Sequence, residues 1–310
     1  MLALADHWVW DSWFFDDGEY FHCFFLRASK SLLDPQRRHF RAATGHARSK
    51  DLTNWELLPD ALCADDLPAW DSTSTWTGSV VQEPATGKYH LFYTGTNRLH
   101  GGVQQQVGHA TSDDLIAWHR HPSNPVASAD PARFEVLADA GNEPFRDPWV
   151  FFDERDSMWK MLVTANNKQE ASPHRATIAL LTSADLVSWS SPEPIVFNSE
   201  LGEIEVTQVE KIDGKWVLVF CVSELHIHNG RPNWGTGTYS APADSPTGPF
   251  HLDRAELIGE PGLYAGRIIK DRHGNWNLLG FIHDDFDIPF SGRIQDPLVV
   301  RLTERGTLQP

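Results

Sequence analysis

The same short phrase returns five times along this chain: a turn, an aromatic residue, then a run of mostly apolar residues. The copies begin Gly18-Glu19-Tyr20, Gly87-Lys88-Tyr89, Ser157-Met158-Trp159, Gly214-Lys215-Trp216 and Gly274-Asn275-Trp276. From aromatic to aromatic the steps are 20 to 89, 89 to 159, 159 to 216 and 216 to 276, or 69, 70, 57 and 60 residues. A strand-bearing period of that size points to a β-propeller, because a single small sheet cannot bury its faces alone and needs repeated neighbours. A second repeat interleaves with the first. Ser49 to Trp55, Ser112 to Trp118 and Ser183 to Trp189 share Ser-x-Asp-Leu-x-x-Trp at steps of 63 and 71 residues. Ser and Asp side chains that bond nearby amides make this a strand-to-strand turn, with the Trp opening the next outer strand. A degraded fourth copy is expected between Ser240 and Phe250.

Blades of roughly 60 residues use nearly all of the 310 residues, so the expectation is one all-β domain over 1–310. It is a five-bladed β-propeller with four-stranded antiparallel blades around a central channel. The 13 Trp and 17 Phe supply a packed core. With 26 basic against 42 acidic residues the formal charge is −16, which repels nucleic acid and anionic membrane surfaces and leaves a small neutral molecule as the expected partner. Cys23, Cys63 and Cys221 are odd in number and far apart, so they provide neither a disulfide framework nor a zinc site. Cys23 and Cys221 sit in apolar runs and read as buried thiols. The N-terminus lacks a basic region and a sufficient apolar stretch for a signal peptide, and no run of 18 apolar residues occurs elsewhere, so the chain as it stands reads as cytoplasmic.

In a propeller the first strand of each blade lines the channel, and the aromatic phrase is the next strand outward. Counting back from the anchors gives Asp11, Thr77, Asp147, Glu205 and Tyr264, three of them carboxylates. The segments around them begin polar or aromatic and become apolar, so the polar starts are expected to gather at one mouth of the channel. An acid in such a strand costs free energy unless partnered or solvated, and three brought to one rim by pseudo-symmetry read as a site. Pro148 suits an inner edge strand and holds Asp147 extended. Arg146, as its neighbour, points to the opposite face unless the backbone twists. Glu203 and Glu205, two apart on a strand, share a face, and one of so close a pair is expected to have a raised pKa, as a general acid requires.

Two carboxyl groups across a channel suit glycoside hydrolysis, where one protonates the leaving oxygen and the other attacks the anomeric carbon or activates water. Trp10, Trp13 and Trp76 stand beside the acids and offer flat faces for sugar rings, whereas the outer Trp55, Trp118 and Trp189 are expected to pack between blades.

These residues resemble a known family group. Val9-Trp10-Asp11-Ser12-Trp13 looks like the nucleophile motif of levansucrases. Trp76-Thr77-Gly78-Ser79, Leu91 to Gly95 and Gly45 to Trp55 resemble the second-blade pattern and turn of invertases, levanases and inulinases. Phe145-Arg146-Asp147-Pro148 matches the Arg-Asp-Pro motif shared by both, and Glu203-Ile204-Glu205 followed by Gly214-Lys215-Trp216 is similar to the levansucrase acid motif. The resemblance, to the clan of glycoside hydrolase families 32 and 68, spans about residue 8 to 302. It implies a five-bladed propeller and retaining cleavage of a β-fructofuranosyl bond, without a cofactor. It makes Asp11 the nucleophile, Glu205 the general acid/base and Asp147 the stabiliser that binds fructose hydroxyls, with Arg146, Glu203, Trp10, Trp76 and Thr77 lining the fructosyl site. The chain departs from the pattern as well. Trp-Asp-Ser-Trp replaces the invertase Asn-Asp-Pro-Asn, Phe25-Leu26 stands where a Gln is usual, and Val206 replaces the levansucrase Arg after the acid. It ends with its fifth blade, without the C-terminal β-sandwich of invertases or the long insertions of levansucrases, which leads one to expect an open mouth.

The rival chemistry is an inverting arabinofuranosidase or xylosidase, with Asp11 as general base, and product stereochemistry separates the two. Fructosyl transfer to a sugar acceptor is a third reading of the same residues, and a sugar-binding propeller without catalysis is a fourth. His226-Ile227-His228 and His283-Asp284-Asp285-Phe286-Asp287 collect possible ligands but match no recognised metal loop, so no metal is expected. His283, Asp285 and Tyr264 are candidates to reach substrate from the fifth blade.

Overall fold

The computed structural model describes residues 1–141, 143–171, 173–197, 199–227, 234–283 and 290–310. Its strands fall into five four-stranded antiparallel sheets, each in sequence order from the channel outward. Blade 1 is β1 (His7–Asp16), β2 (Phe21–Ser29), β3 (Ala43–Ser49) and β4 (Glu56–Leu62). Blade 2 is β5 (Ser74–Gln82), β6 (Tyr89–Thr96), β7 (Gln105–Ser112) and β8 (His119–Arg120). Blade 3 is β9 (Phe145–Asp153), β10 (Met158–Asn166), β11 (Ala176–Ser183) and β12 (Glu193–Pro194). Blade 4 is β13 (Glu205–Ile212), β14 (Lys215–Val222), β15 (Gly237–Ala243) and β16 (Glu256–Leu257), and blade 5 is β17 (Leu263–Lys270), β18 (Trp276–Ile282), β19 (Leu298–Leu302) and β20 (Leu308–Gln309). The aromatic anchors begin the second strands of blades 2 and 5 and lie within one residue of the start in the others.

The second strands are buried on both faces by neighbouring blades, which is why they read as continuous apolar runs rather than alternating ones. Cys23 and Cys221 lie in two of these strands as buried free thiols. The ring closes through the N-terminus: Leu2 pairs with Ile294, and the Val9 N–H donates to the Gly292 carbonyl at 3.0 Å.

The Ser-x-Asp-Leu turns repeat atom for atom. Asp51 Oδ1 accepts the N–H groups of Thr53 and Asn54 at 2.9 and 2.8 Å. Asp114 takes Ile116 and Ala117, and Asp185 takes Val187 and Ser188, at 2.7 to 2.9 Å. The Leu between holds a left-handed backbone, with φ of 64°, 64° and 63° at Leu52, Leu115 and Leu186. That strain is offset by burying the leucine side chain between blades. Trp118 and Trp189 then pack edge-on against Phe24 and Phe92 of the preceding blade. In blade 3 the outer strand starts only at Glu193, four residues after Trp189, so there the Trp precedes the strand rather than opening it. The fourth copy is displaced too, because Ser240 lies inside β15 and the turn follows at Asp244 to Phe250. Removing one Asp clamp is expected to cost about 1 kcal/mol. Denaturant unfolding of Asp114→Ala should show a lower midpoint with an unchanged slope, and Asp114→Asn, which keeps the acceptor oxygen, should recover most of the loss.

Candidate active site

Every inner strand breaks register with its second strand in its first half. The last pairs before the break are Trp10 with Leu26, Trp76 with Thr94, Arg146 with Thr164, Glu205 with Cys221 and Tyr264 with Phe281. A β-bulge turns a side chain out of strict alternation, and at the next residue the backbone is left-handed in four blades: φ is 32° at Asp11, 59° at Asp147, 51° at Val206 and 48° at Ala265. This twist brings Arg146 to the same side as Asp147, against simple alternation. It also corrects the spacing argument. Asp11, Thr77 and Asp147 share one register, but Glu205 and Tyr264 stand one residue earlier, level with Trp10, Trp76 and Arg146. Counting back from the aromatic fails there because hairpin lengths differ: Ile212 pairs with Lys215 across a two-residue turn in blade 4, while Gln82 pairs with Tyr89 across a longer loop in blade 2. Glu203 lies ahead of β13 rather than in it.

The acids nevertheless converge on one pocket of about 360 Å³ at one mouth of the channel. Among the described residues, Trp10, Asp11, Trp76, Thr77, Arg146, Asp147, Glu203 and Glu205 all line it, together with Leu26, His39, Gln105 and His226. Thr77 Oγ1 donates to Asp11 Oδ2 at 2.6 Å. Asp147 Oδ2 accepts from Thr164 Oγ1 at 3.2 Å and from the Val206 N–H at 3.3 Å, and the Asp147 N–H donates to Thr94 Oγ1 at 2.9 Å. Arg146 ties the acids together: its Nη2 contacts Glu203 and lies 3.5 Å from Glu205 Oε1, its Nε lies 3.6 Å from Asp147 Oδ2, and its Nη1 donates to Gln105 Oε1 at 3.3 Å.

These surroundings push the carboxyl groups apart. Burial drives Glu205 up, to about 8; Arg146 opposes this, while the charges of Glu203, Asp147 and Asp11 reinforce it. Burial also raises Asp11, to about 6, against the hydrogen bond from Thr77. Asp147 is raised by burial and held back by Arg146, Arg267 and the hydrogen bonds it accepts. For Glu203 the cost of burial is outweighed by Arg146 and His226, so it lies below the ordinary range. At neutral pH the pocket therefore presents Glu205 as a proton donor facing ionised Asp11 and Glu203. One protonated and one ionised carboxyl in a shared pocket are the equipment of acid-assisted bond cleavage.

Two expected contacts differ. Tyr264 is buried with its ring 4.8 Å from that of His283, and neither lines the pocket. Tyr264 stands level with Glu205 of the preceding blade, and burial together with the nearby Glu205 charge raises its pKa. Trp10 lines the pocket while only 1 % exposed, so it forms wall rather than platform, and Trp13 is fully buried in the core, stacked on Phe24. Three lining residues, Gln105, His39 and His226, lie outside the sequence repeats. Gln105 begins the third strand of blade 2, and its Oε1 also accepts the Phe145 N–H at 3.1 Å. His39 comes from a 3-10 turn (Pro35–Arg41) between β2 and β3, where its carbonyl accepts the Trp76 indole N–H at 2.7 Å. Burial, with Arg38 adjacent, holds the His39 ring neutral, its pKa near 3. The only sequence signal for it is the length of that connection. Glu203, Glu205 and His226 present ligand atoms within 4.8 Å of one another, but Arg146 already lies against both carboxylates, so the donor set does not fit a dication. His228, Asp285 and Asp287 lie outside the described residues.

The family model for the glycosyl hydrolases family 32 N-terminal domain matches residues 12–284. The chain is 33% identical over 161 residues to a β-fructofuranosidase of Arabidopsis thaliana, the insoluble isoenzyme CWINV5, covering 51% of this chain and 26% of that protein. It is 31% identical over 150 residues to a sucrose:sucrose 1-fructosyltransferase of Festuca arundinacea, covering 47% of this chain and 21% of that protein. These two alignments thus span about a quarter of each relative, and over 93% of its length the chain matches 54% of a second insoluble β-fructofuranosidase of Arabidopsis thaliana at 24% identity, about half of that protein. Among solved structures, the inulosucrase of Halalkalicoccus jeotgali bound to kestose superposes with a TM-score of 0.77 at 19% identity over 98% of this chain and 87% of that one, a likeness of fold.

Proposed function

The chain belongs to glycosyl hydrolase family 32, and from that premise we propose that it is a retaining glycosidase that cleaves β-fructofuranosyl linkages of sucrose, fructooligosaccharides or fructan through a covalent fructosyl-enzyme intermediate. The observation that carries this reading is the pair of carboxyl groups in one pocket, Asp11 and Glu205, both raised by burial but unequally, to about 6 and about 8, so that at neutral pH one is ionised and the other protonated. Asp11 attacks the anomeric carbon of the fructosyl unit while Glu205 gives its proton to the departing glycosidic oxygen. Glu205, now ionised, takes a proton from water, which attacks the same carbon and releases Asp11 as a carboxylate. Asp147 and Arg146 hold fructose hydroxyls, and Thr77 fixes the attacking carboxylate by its hydrogen bond to Oδ2. A pocket of 360 Å³ takes a single sugar ring and favours attack at a terminal unit. Hydrolysis is favoured over transfer because, among the described residues, no acceptor-binding residue stands out beyond the fructosyl site.

Incubation with sucrose, inulin and levan should release free fructose, and in aqueous methanol the enzyme should form methyl β-fructofuranoside. Carbon-13 NMR of that glycoside reads the configuration. The α-anomer would replace the reading with an inverting one, a trisaccharide as main product with transfer, and no turnover of any fructosyl substrate with a binding role.

A further inference from the structure

We propose that Arg267 is a positioning residue for Glu205: from beneath the pocket it holds the β-bulge that aims the carboxyl group at the substrate. The inference rests on the reading of Glu205 as acid/base. Pairing between β13 and β14 passes from Glu205 with Cys221 directly to Gln208 with Val219, so Val206 and Thr207 fall outside the register. Val206 is β-branched and yet has φ of 51°, a conformation that persists only where surrounding groups impose it. Backbone polar groups removed from a ladder need other partners. Here the Val206 N–H goes to Asp147 Oδ2 at 3.3 Å, and the Thr207 carbonyl accepts from Arg267 Nη1. The bulge that presents Glu205 is therefore held at consecutive residues, by Asp147 at Val206 and by Arg267 at Thr207.

Arg267 is an unusual group in this place. It is 1 % exposed, its guanidinium carbon lies 4.9 Å from the Trp149 ring centre, and its Nε and Nη2 are buried without a hydrogen-bond partner. One hydrogen bond and an aromatic face do not repay the burial of a guanidinium with five donor hydrogens. The remaining compensation is its attraction to nearby acidic groups: after the cost of burial, the strongest influence on Arg267 is Asp147, and Cys221, Asp11 and Glu210 also favour its charged form. Arg267 lines the cavity at the opposite end of the channel, not the pocket. It touches no substrate and acts only through the bulge and through its charge.

The charged groups facing Asp147 are Arg146, Glu205, Asp11 and Arg267. Removing the last should raise the pKa values of the acids while loosening the bulge. Kinetics on sucrose of Arg267→Met and Arg267→Lys, beside Glu205→Gln, test this. Arg267→Met should lose about 10- to 100-fold in kcat with KM nearly unchanged, and the acid limb of its pH profile should move to higher pH. Arg267→Lys, which keeps the charge and a donor, should restore the limb and most of the rate. If Arg267→Met fails to fold, Arg267→Gln reads the same quantities. A folded neutral variant with wild-type kcat and pH limbs overturns the inference, as does a loss confined to thermal stability. If Glu205→Gln itself keeps wild-type turnover, it is the acid/base reading that falls.

Discussion

Asp11→Asn is expected to lower turnover of sucrose by more than about 10⁴-fold while leaving the fold intact. The amide is the same shape, and its oxygen can accept the Thr77 hydroxyl as Asp11 Oδ2 does at 2.6 Å. What it lacks is the negative charge and the lone pair that forms the bond to the anomeric carbon. Burial disfavours the ionised Asp11, which is why its pKa rises to about 6. Replacing it with a neutral amide should therefore leave the melting temperature unchanged or higher, and substrate affinity close to that of the wild type, since Asp147 and Arg146 are untouched. Steady-state kinetics, a thermal melt and equilibrium binding of sucrose to the variant read the three quantities. Turnover within about tenfold of wild type would remove the nucleophile role and favour a binding propeller or a different attacking group.

What the sequence discloses, and what it hides, follows from which physical signals are periodic. Blade count and strand order are legible because each blade solves the same burial problem with the same phrase, and because Asp51, Asp114 and Asp185 cap the same turn through the same two amides. The convergence of Asp11, Asp147 and Glu205 is legible for the same reason, since pseudo-symmetry sends equivalent strand starts to one mouth. The finer register is not. A bulge shifts a side chain by one residue without leaving a compositional trace, and hairpins of different length separate bulge from anchor, so counting back sets Glu205 and Tyr264 level with Asp11 when they are level with Trp10. His39 and Gln105 are hidden because they reach the pocket from a connection and from a third strand, which the repeat does not constrain. Arg267 stands in plain sight in an apolar strand, but its meaning depends on a carbonyl freed 60 residues away by the bulge at Val206.

Glu205→Gln should separate acid assistance from everything else the pocket does. On sucrose, whose leaving oxygen needs a proton, the loss is expected to be about 10²- to 10⁴-fold. On β-fructosyl fluoride, whose leaving group departs without one, formation of the intermediate should be slowed by about tenfold or less. The pH profile supplies an independent check with a definite sign. Glu205 must be protonated to act and titrates near 8, so wild-type kcat/KM should fall as pH rises through about that value. Asp11 must be ionised and titrates near 6, so activity should also fall as pH drops through that value. Gln has no proton to lose, hence the residual activity of the variant on sucrose should keep the acid limb and lose the alkaline one. An alkaline limb that survives in Glu205→Gln would assign the proton to another group of the cluster, with Asp147 the first to examine, because burial raises its pKa whereas Arg146 keeps Glu203 ionised.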